Sequence, residues 1–98
     1  MPADIRDVDP AELRLPSSRS SGADPGKLQR QIAKHGKSVS GMPPLAAYEG
    51  SDGVLELYDG VTRDTRVAKL LPGTTVQVEV IGKLKQPKAK SRRIGDAL

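Results

Sequence analysis

The alternation of apolar and polar residues predicts short strands in three parts of the chain. Thr75 to Ile81 alternates most regularly, and Ile5 to Val8 has the spacing of a short strand that ends before Pro10. Leu45–Tyr48 and Val54–Tyr58 flank a loop that contains glycine. Two short apolar runs joined in this way predict a β-hairpin.

Apolar residues recur at helical spacing in two other segments. In the first, Asp24 is a candidate N-cap, Leu28 and Ile32 share one face, and Gly36 ends the helix. The second helix is predicted from Val61 to Leu71, ahead of a Pro-Gly pair. The order strand, helix, hairpin, helix, strand predicts an α+β domain with a short mixed sheet and two main helices.

Composition limits this fold to one modest, aliphatic core. The chain has 98 residues, no Phe or Trp, and only 2 Tyr, which argues against an aromatic platform for stacking bases. We assign residues 1–83 to the domain and predict that residues 84–98 form a flexible tail. Lysine and arginine dominate that tail, and the whole chain carries a net charge of +4. Such a tail attracts nucleic acid or an acidic protein partner without specifying either.

Several classes of function are disfavoured by residues that the chain lacks. It contains no Cys and 1 His, so disulfides, thiolate nucleophiles and Cys/His metal clusters are excluded, and we predict no metal site. No apolar run approaches the roughly 20 residues needed to span a bilayer, and no leader pattern is evident. The expected location is therefore the cytoplasm, with no membrane partner.

The segment from Asp59 to Arg66 is the strongest candidate for chemistry, because a predicted strand there turns directly into a predicted helix. A helix start exposes unpaired backbone N–H groups and the positive end of the helix dipole, which favours anions. Gly60 allows close approach of the backbone, and Thr62 offers a hydroxyl. Arg63 and Arg66 supply cations on one helical face.

Asp59 has three open roles: it can cap the helix, orient an arginine, or bind a metal ion through phosphate. The simpler interpretation of the segment is a tight turn with a capping carboxylate, in which Arg63 and Arg66 pair with Asp64 or Glu79 on the surface. The residues alone do not separate a phosphate site from that turn.

The order of elements resembles that of the ParB/sulfiredoxin superfamily. A helix ending in His-Gly, a hairpin, Asp-Gly-Val-Thr-Arg, a helix ending in Pro-Gly and a Val-rich strand follow one another between Val8 and Ile81. Residues 59–63 stand where ParB N-terminal domains have Gly-Glu-Arg-Arg and sulfiredoxins have Gly-Cys-His-Arg. The resemblance implies that Gly60, Thr62 and Arg63 contact the phosphates of a nucleotide, accompanied by Mg²⁺. It also implies that Arg19, in the predicted loop Pro16–Gly22, is a second cation of the phosphate site. The resemblance further implies that the protein is bacterial.

The chain also departs from that family. Val61 replaces the reactive cysteine of sulfiredoxins, which excludes reduction of a sulfinic acid by that route. Val61 and Thr62 replace Glu and Arg of ParB, which argues against its nucleotide hydrolysis. Too few residues follow Ile81 for a helix-turn-helix DNA-binding part.

Three functions remain open on this basis. The first is a stand-alone ParB-like domain that binds a nucleotide or another phosphate-bearing ligand, with the basic tail touching nucleic acid. The second is a nuclease or nucleotide-dependent phosphotransferase, for which Asp59, Asp64 and Glu56 are the candidate acids, bases or metal ligands. The third is a non-catalytic regulatory or antitoxin-like interaction protein.

Overall fold

The computed structural model describes residues 3–19 and 21–98; Ser20, in the predicted loop, and Met1 and Pro2 lie outside the described residues. The strands are β1 (Ile5–Val8), β2 (Leu45–Glu49), β3 (Leu55–Asp59) and β4 (Val76–Lys83). The helices are α1 (Pro25–His35) and α2 (Val61–Leu70). Three single turns of 3₁₀ helix lie at Pro10–Glu12, Ser17–Arg19 and Ile94–Ala97. This is a small α+β domain, as predicted.

The strands form one mixed sheet in the order β1-β4-β2-β3. β1 pairs antiparallel with β4, β4 pairs parallel with β2, and β2 and β3 form the predicted antiparallel hairpin. Leu45 and Ala47 of β2 and Val78 of β4 are completely buried at the centre of this sheet. The parallel pairing of β2 with β4 requires a crossover, and α2 supplies it.

The two helices begin as the sequence predicts, but they are buried to different degrees. Asp24 caps α1 by accepting a hydrogen bond from the amide of Lys27 at 3.0 Å, and this bond lowers the pKa of Asp24. None of the residues of α1 is fully buried, so its apolar face covers the domain only in part. In contrast, Val61 and Val67 of α2 join the central core cluster. α1 therefore leaves one polar side open to solvent beside α2.

The C-terminal residues correct one prediction. Residues 84–98 were expected to bury little, yet Ile94 has no exposed surface and lies in the core. Its amide donates to the carbonyl of Leu13 at 2.8 Å, and the amide of Leu15 donates to the carbonyl of Arg92 at 2.7 Å. The sequence did not predict this packing because a single isoleucine among charged residues gives no periodic pattern of apolar positions.

Polar contacts hold the same segment against the hairpin. The carboxylate of Asp52 accepts the amides of Lys88 and Ala89 at 3.0 to 3.1 Å. Lys88 also pairs with Glu56 at 3.2 Å.

Among the described residues, no helix is long and apolar enough to cross a membrane.

Candidate anion-binding site

The turn between β3 and α2 is built around Gly60. Its φ of +99° lies in the left-handed region, where side chains are disfavoured. A Cβ at this position would also clash with the Cδ2 atom of Leu45 and lie 3.1 Å from the guanidinium of Arg63. Glycine is therefore required here both by the backbone conformation and by the close approach of two neighbouring side chains.

The first turn of α2 has no side-chain cap. The amide of Asp64 donates to the carbonyl of Gly60 at 2.8 Å and makes the first hydrogen bond of the helix. The amides of residues 61–63 come earlier in the chain and therefore have no acceptor within the helix. Asp59 does not cap the helix, which settles one of the roles left open for it. Its carboxylate lies 3.6 Å from the guanidinium of Arg63. The start of α2 therefore presents N–H groups and the positive end of the dipole.

A groove of about 470 Å³ opens at this helix start. We call it the anion groove. Its charged and hydroxyl-bearing lining includes Ser18, Arg19, Lys27, Asp59, Thr62 and Arg63. The structure therefore brings together five of the six residues proposed from the sequence, since Gly60 lines the groove as well. Among the described residues that line it, three are cations and Asp59 is the only acid.

Arg63 is oriented at the base of the groove. Its Nη1 donates to the carbonyl of Pro43 at 3.3 Å, and its Nη2 forms an ion pair with the carboxylate of Asp59 at 3.6 Å. Its side chain is 22% exposed. Since a guanidinium has five N–H groups, these two contacts leave donors for an anion.

Arg66 does not belong to this groove, although the sequence analysis placed it there. Its side chain is almost fully buried, and Nη1 donates to the carbonyls of Gly36 at 2.7 Å and Ser38 at 2.8 Å. Burial lowers the pKa of Arg66. Spacing by three along the helix put Arg63 and Arg66 on neighbouring positions, but the loop after α1 covers only the second of them. Arg66 therefore fastens that loop to α2.

The three candidate catalytic carboxylates are not brought together. Glu56 pairs with Lys88, Asp64 is buried within the domain, and only Asp59 lines the anion groove. Within residues 3–19 and 21–98, no group of three or more acidic or histidine side chains is placed to hold a metal ion. No observation in the structure favours the nuclease or phosphotransferase hypothesis over simple binding.

Asp64 is instead a buried, neutral acid. It has no exposed surface, and neither carboxyl oxygen has a hydrogen-bond partner within the described part of the chain. Loss of solvent, with a smaller contribution from the negative charge of Asp9, raises the pKa of Asp64 to about 8. The predicted surface pairing of Asp64 with Arg63 or Arg66 is therefore wrong.

The sequence analysis missed several residues of the groove, among them Lys27, Gln31 and Tyr58. Lys27, near the start of α1, lines the groove because α1 packs beside the start of α2. Tyr58 also lines it, is 65% exposed, and meets Tyr48 edge to face with 5.6 Å between ring centres. The Lys27 position had no sequence signal, whereas Tyr58 was recognisable as an aromatic residue directly before the Asp-Gly turn.

Two comparisons bear on the family of this chain, one with protein-family models and one with curated protein sequences. No protein-family model matches it, and no curated protein sequence matches it significantly. The case for function therefore rests on the groove itself.

Proposed function

We propose that this protein binds the phosphates of a nucleotide, or of a similar phosphate-bearing ligand, in the anion groove. The observation that carries the proposal is the coincidence of an uncapped helix start with Arg19, Lys27 and Arg63 in one concave surface. Backbone N–H groups and a helix dipole favour an anion there, and guanidinium groups bind phosphate through paired hydrogen bonds. The polar lining suits a charged group better than an apolar ligand.

The same proposal treats the chain as a ParB-like domain. Its support is the resemblance of residues 59–63 to the phosphate-binding motifs of that superfamily, together with the position of those residues between a strand and a helix. Val61, which replaces the reactive or acidic residue of those motifs, is buried in the core. The proposed activity is therefore binding, with no covalent step.

A nucleotide would bring Mg²⁺ with it, and one residue suits that ion. Mg²⁺ in nucleotide sites is commonly held by one or two carboxylates plus phosphate oxygens and water. Asp59 is exposed at the rim of the groove and provides one carboxylate. The ion would offset the negative charge of the phosphates and reach the protein through Asp59.

Isothermal titration calorimetry of the protein with ATP, ADP and pyrophosphate, with and without Mg²⁺, tests the proposal. Replacing Arg63 with Gln removes a charge-assisted hydrogen bond worth about 1.5 to 3 kcal/mol, so affinity should fall at least tenfold. Lys69→Gln is the matched control, because it removes one exposed charge near the other end of α2.

Equal affinity of the Arg63→Gln and Lys69→Gln variants would contradict the proposal, as would the absence of binding by the unmodified protein. In that case the non-catalytic interaction-protein hypothesis takes its place, and the search turns to a protein partner.

A further inference from the structure

A second groove continues the first along the exposed side of α1. It has a volume of about 270 Å³ and shares Lys27, Gln31 and Thr62 with the anion groove. Arg30 and Lys34 are added to its lining. The two depressions therefore form one continuous surface, which begins at the start of α2 and runs toward the end of α1.

The cations of this surface are regularly spaced. Lys27, Arg30 and Lys34 lie three and four residues apart, and so on one side of the helix, and all three are exposed. At a rise of 1.5 Å per residue, Lys27 and Lys34 are about 10 Å apart along α1. A surface of that length can meet more than one phosphate of a nucleic acid strand.

These cations are also largely free of acidic partners. Within the described part of the chain, Arg19, Lys27, Arg30 and Lys34 make no ion pair. Asp24 caps α1 by accepting the amide of Lys27, and the positive charges of Lys27 and Arg30 make smaller contributions to its lowered pKa. The second groove thus carries more positive charge than one phosphate needs.

The C-terminal basic segment differs in this respect. Lys88 pairs with Glu56, and Arg93 pairs with Glu12 and Asp96, all within 3.2 Å. Two of the five cations in residues 84–98 are therefore paired with carboxylates. The surface along α1 is the better candidate for a polyanion.

Two further groups suit a base rather than a phosphate. Tyr58, at the anion groove, has a largely exposed ring whose edge-to-face contact with Tyr48 orients it. Although 2 Tyr argue against a platform for several bases, a single exposed ring beside a basic groove is sufficient for one unpaired base to stack. Gln31 lies where the two grooves join, and its Oε1 has no partner among the described residues, so a rotation of the side chain would offer this acceptor to a base amino group.

We infer that the ligand of this surface is a single strand of nucleic acid. Its phosphates would contact five cations, and one base would stack on Tyr58. The five cations are Arg19, Arg63, Lys27, Arg30 and Lys34. A single strand fits better than a duplex because the bases of a duplex are already stacked and cannot reach the ring. This inference rests on the proposed function, since one phosphate occupies the anion groove in both.

The test uses fluorescence anisotropy of labelled oligothymidylate and oligouridylate of about twelve nucleotides, with a duplex of equal length for comparison. Contact with Arg19, Lys27, Arg30, Lys34 and Arg63 predicts that log K falls with log salt with a slope of about −3.5. The double variant Arg30→Gln with Lys34→Gln should reduce that slope by about 1.4 and leave pyrophosphate binding unchanged.

A second double variant, Lys85→Gln with Lys90→Gln, is the matched control. It removes the same charge from exposed positions of the C-terminal segment, which packs against the turn of the β2–β3 hairpin, at the end of β3 remote from the anion groove. We expect it to leave the salt slope near that of the unmodified protein. Tyr58→Leu, at an exposed position, should weaken oligonucleotide binding about fivefold or more.

Equal loss in the two double variants would overturn the inference, because it would show attraction by net charge alone. Tighter binding of the duplex, or no effect of Tyr58→Leu, would also overturn it. If ATP and pyrophosphate bind but neither oligonucleotide binds more tightly than they do, the inference of a single-stranded ligand is wrong and the proposed phosphate site stands. If nothing binds, both fail. The preferred oligonucleotide distinguishes DNA from RNA as the source of the strand.

Discussion

Replacing Asp64 with Asn should stabilise the protein at neutral pH and do so more strongly as the pH rises. The carboxyl group has no exposed surface and no hydrogen-bond partner within the described part of the chain. Asn keeps the shape and the polarity of the neutral acid but cannot ionise. The variant therefore isolates the free energy of placing a charge at this buried position.

The magnitude follows from the difference between the folded and unfolded pKa values. Asp64 has a pKa of about 8 in the folded protein, against 3.8 for an ordinary Asp, so between these values the folded state holds a proton that the unfolded state has lost. The free energy of unfolding therefore falls as pH rises through this window. At 1.36 kcal/mol per pH unit, the change from pH 4.5 to 7.5 is about 4 kcal/mol. The free energy of unfolding of a native protein is only about 5 to 15 kcal/mol in total, so this change is a large part of it.

Urea unfolding of the two proteins at pH 4.5, 6.0 and 7.5 measures the effect. The free energies of unfolding of the two proteins should be similar at pH 4.5. At pH 7.5 that of Asp64→Asn should be the larger by about 4 kcal/mol. Carboxylates elsewhere titrate equally in both proteins, so their contributions cancel in the difference. Asp7→Asn, which removes an exposed carboxylate from β1, controls for the loss of one negative charge.

A difference that does not change with pH would refute the reasoning, because it would mean that Asp64 is ionised or solvated in the folded state. A variant that becomes relatively less stable as pH rises would refute the sign. Either result would require a hydrogen-bond donor or a cation within reach of the carboxylate.

Two further predictions concern the fold that supports the site, and urea unfolding checks both. Gly60→Ala should destabilise the protein by about 2 kcal/mol or more, since the methyl group meets both a positive φ and the side chain of Leu45, whereas Gly53→Ala, with positive φ but open space, should lose only about 1 kcal/mol. Equal losses would show that the contact with Leu45 is unimportant. Ile94→Ala should lose about 2 to 5 kcal/mol and the exposed Leu98→Ala almost nothing. A neutral Ile94→Ala would restore the interpretation of the C-terminal segment as a tail.

Local signals accounted for most of the secondary structure. Asp24 before Pro25, and the period of the apolar residues, predicted α1 because capping and amphipathicity are encoded within a few neighbouring positions. The hairpin and the turn at Gly60 were likewise predicted from adjacent residues. Ile94 was missed because Leu13, whose carbonyl accepts its amide, is distant in the sequence.

Arg63 and Arg66 show the same division within the candidate site. Both are arginines on the first turns of one helix, and nothing local distinguishes them. The loop after α1 buries Arg66 and leaves Arg63 beside the groove, and the packing of α1 against α2 adds Lys27. By itself, the sequence determined where most of the helices and strands begin and where the turn between β3 and α2 lies, because those features depend on neighbouring residues. Only the tertiary structure decided which cations share a surface, because burial and charge pairing arise between segments distant in the chain.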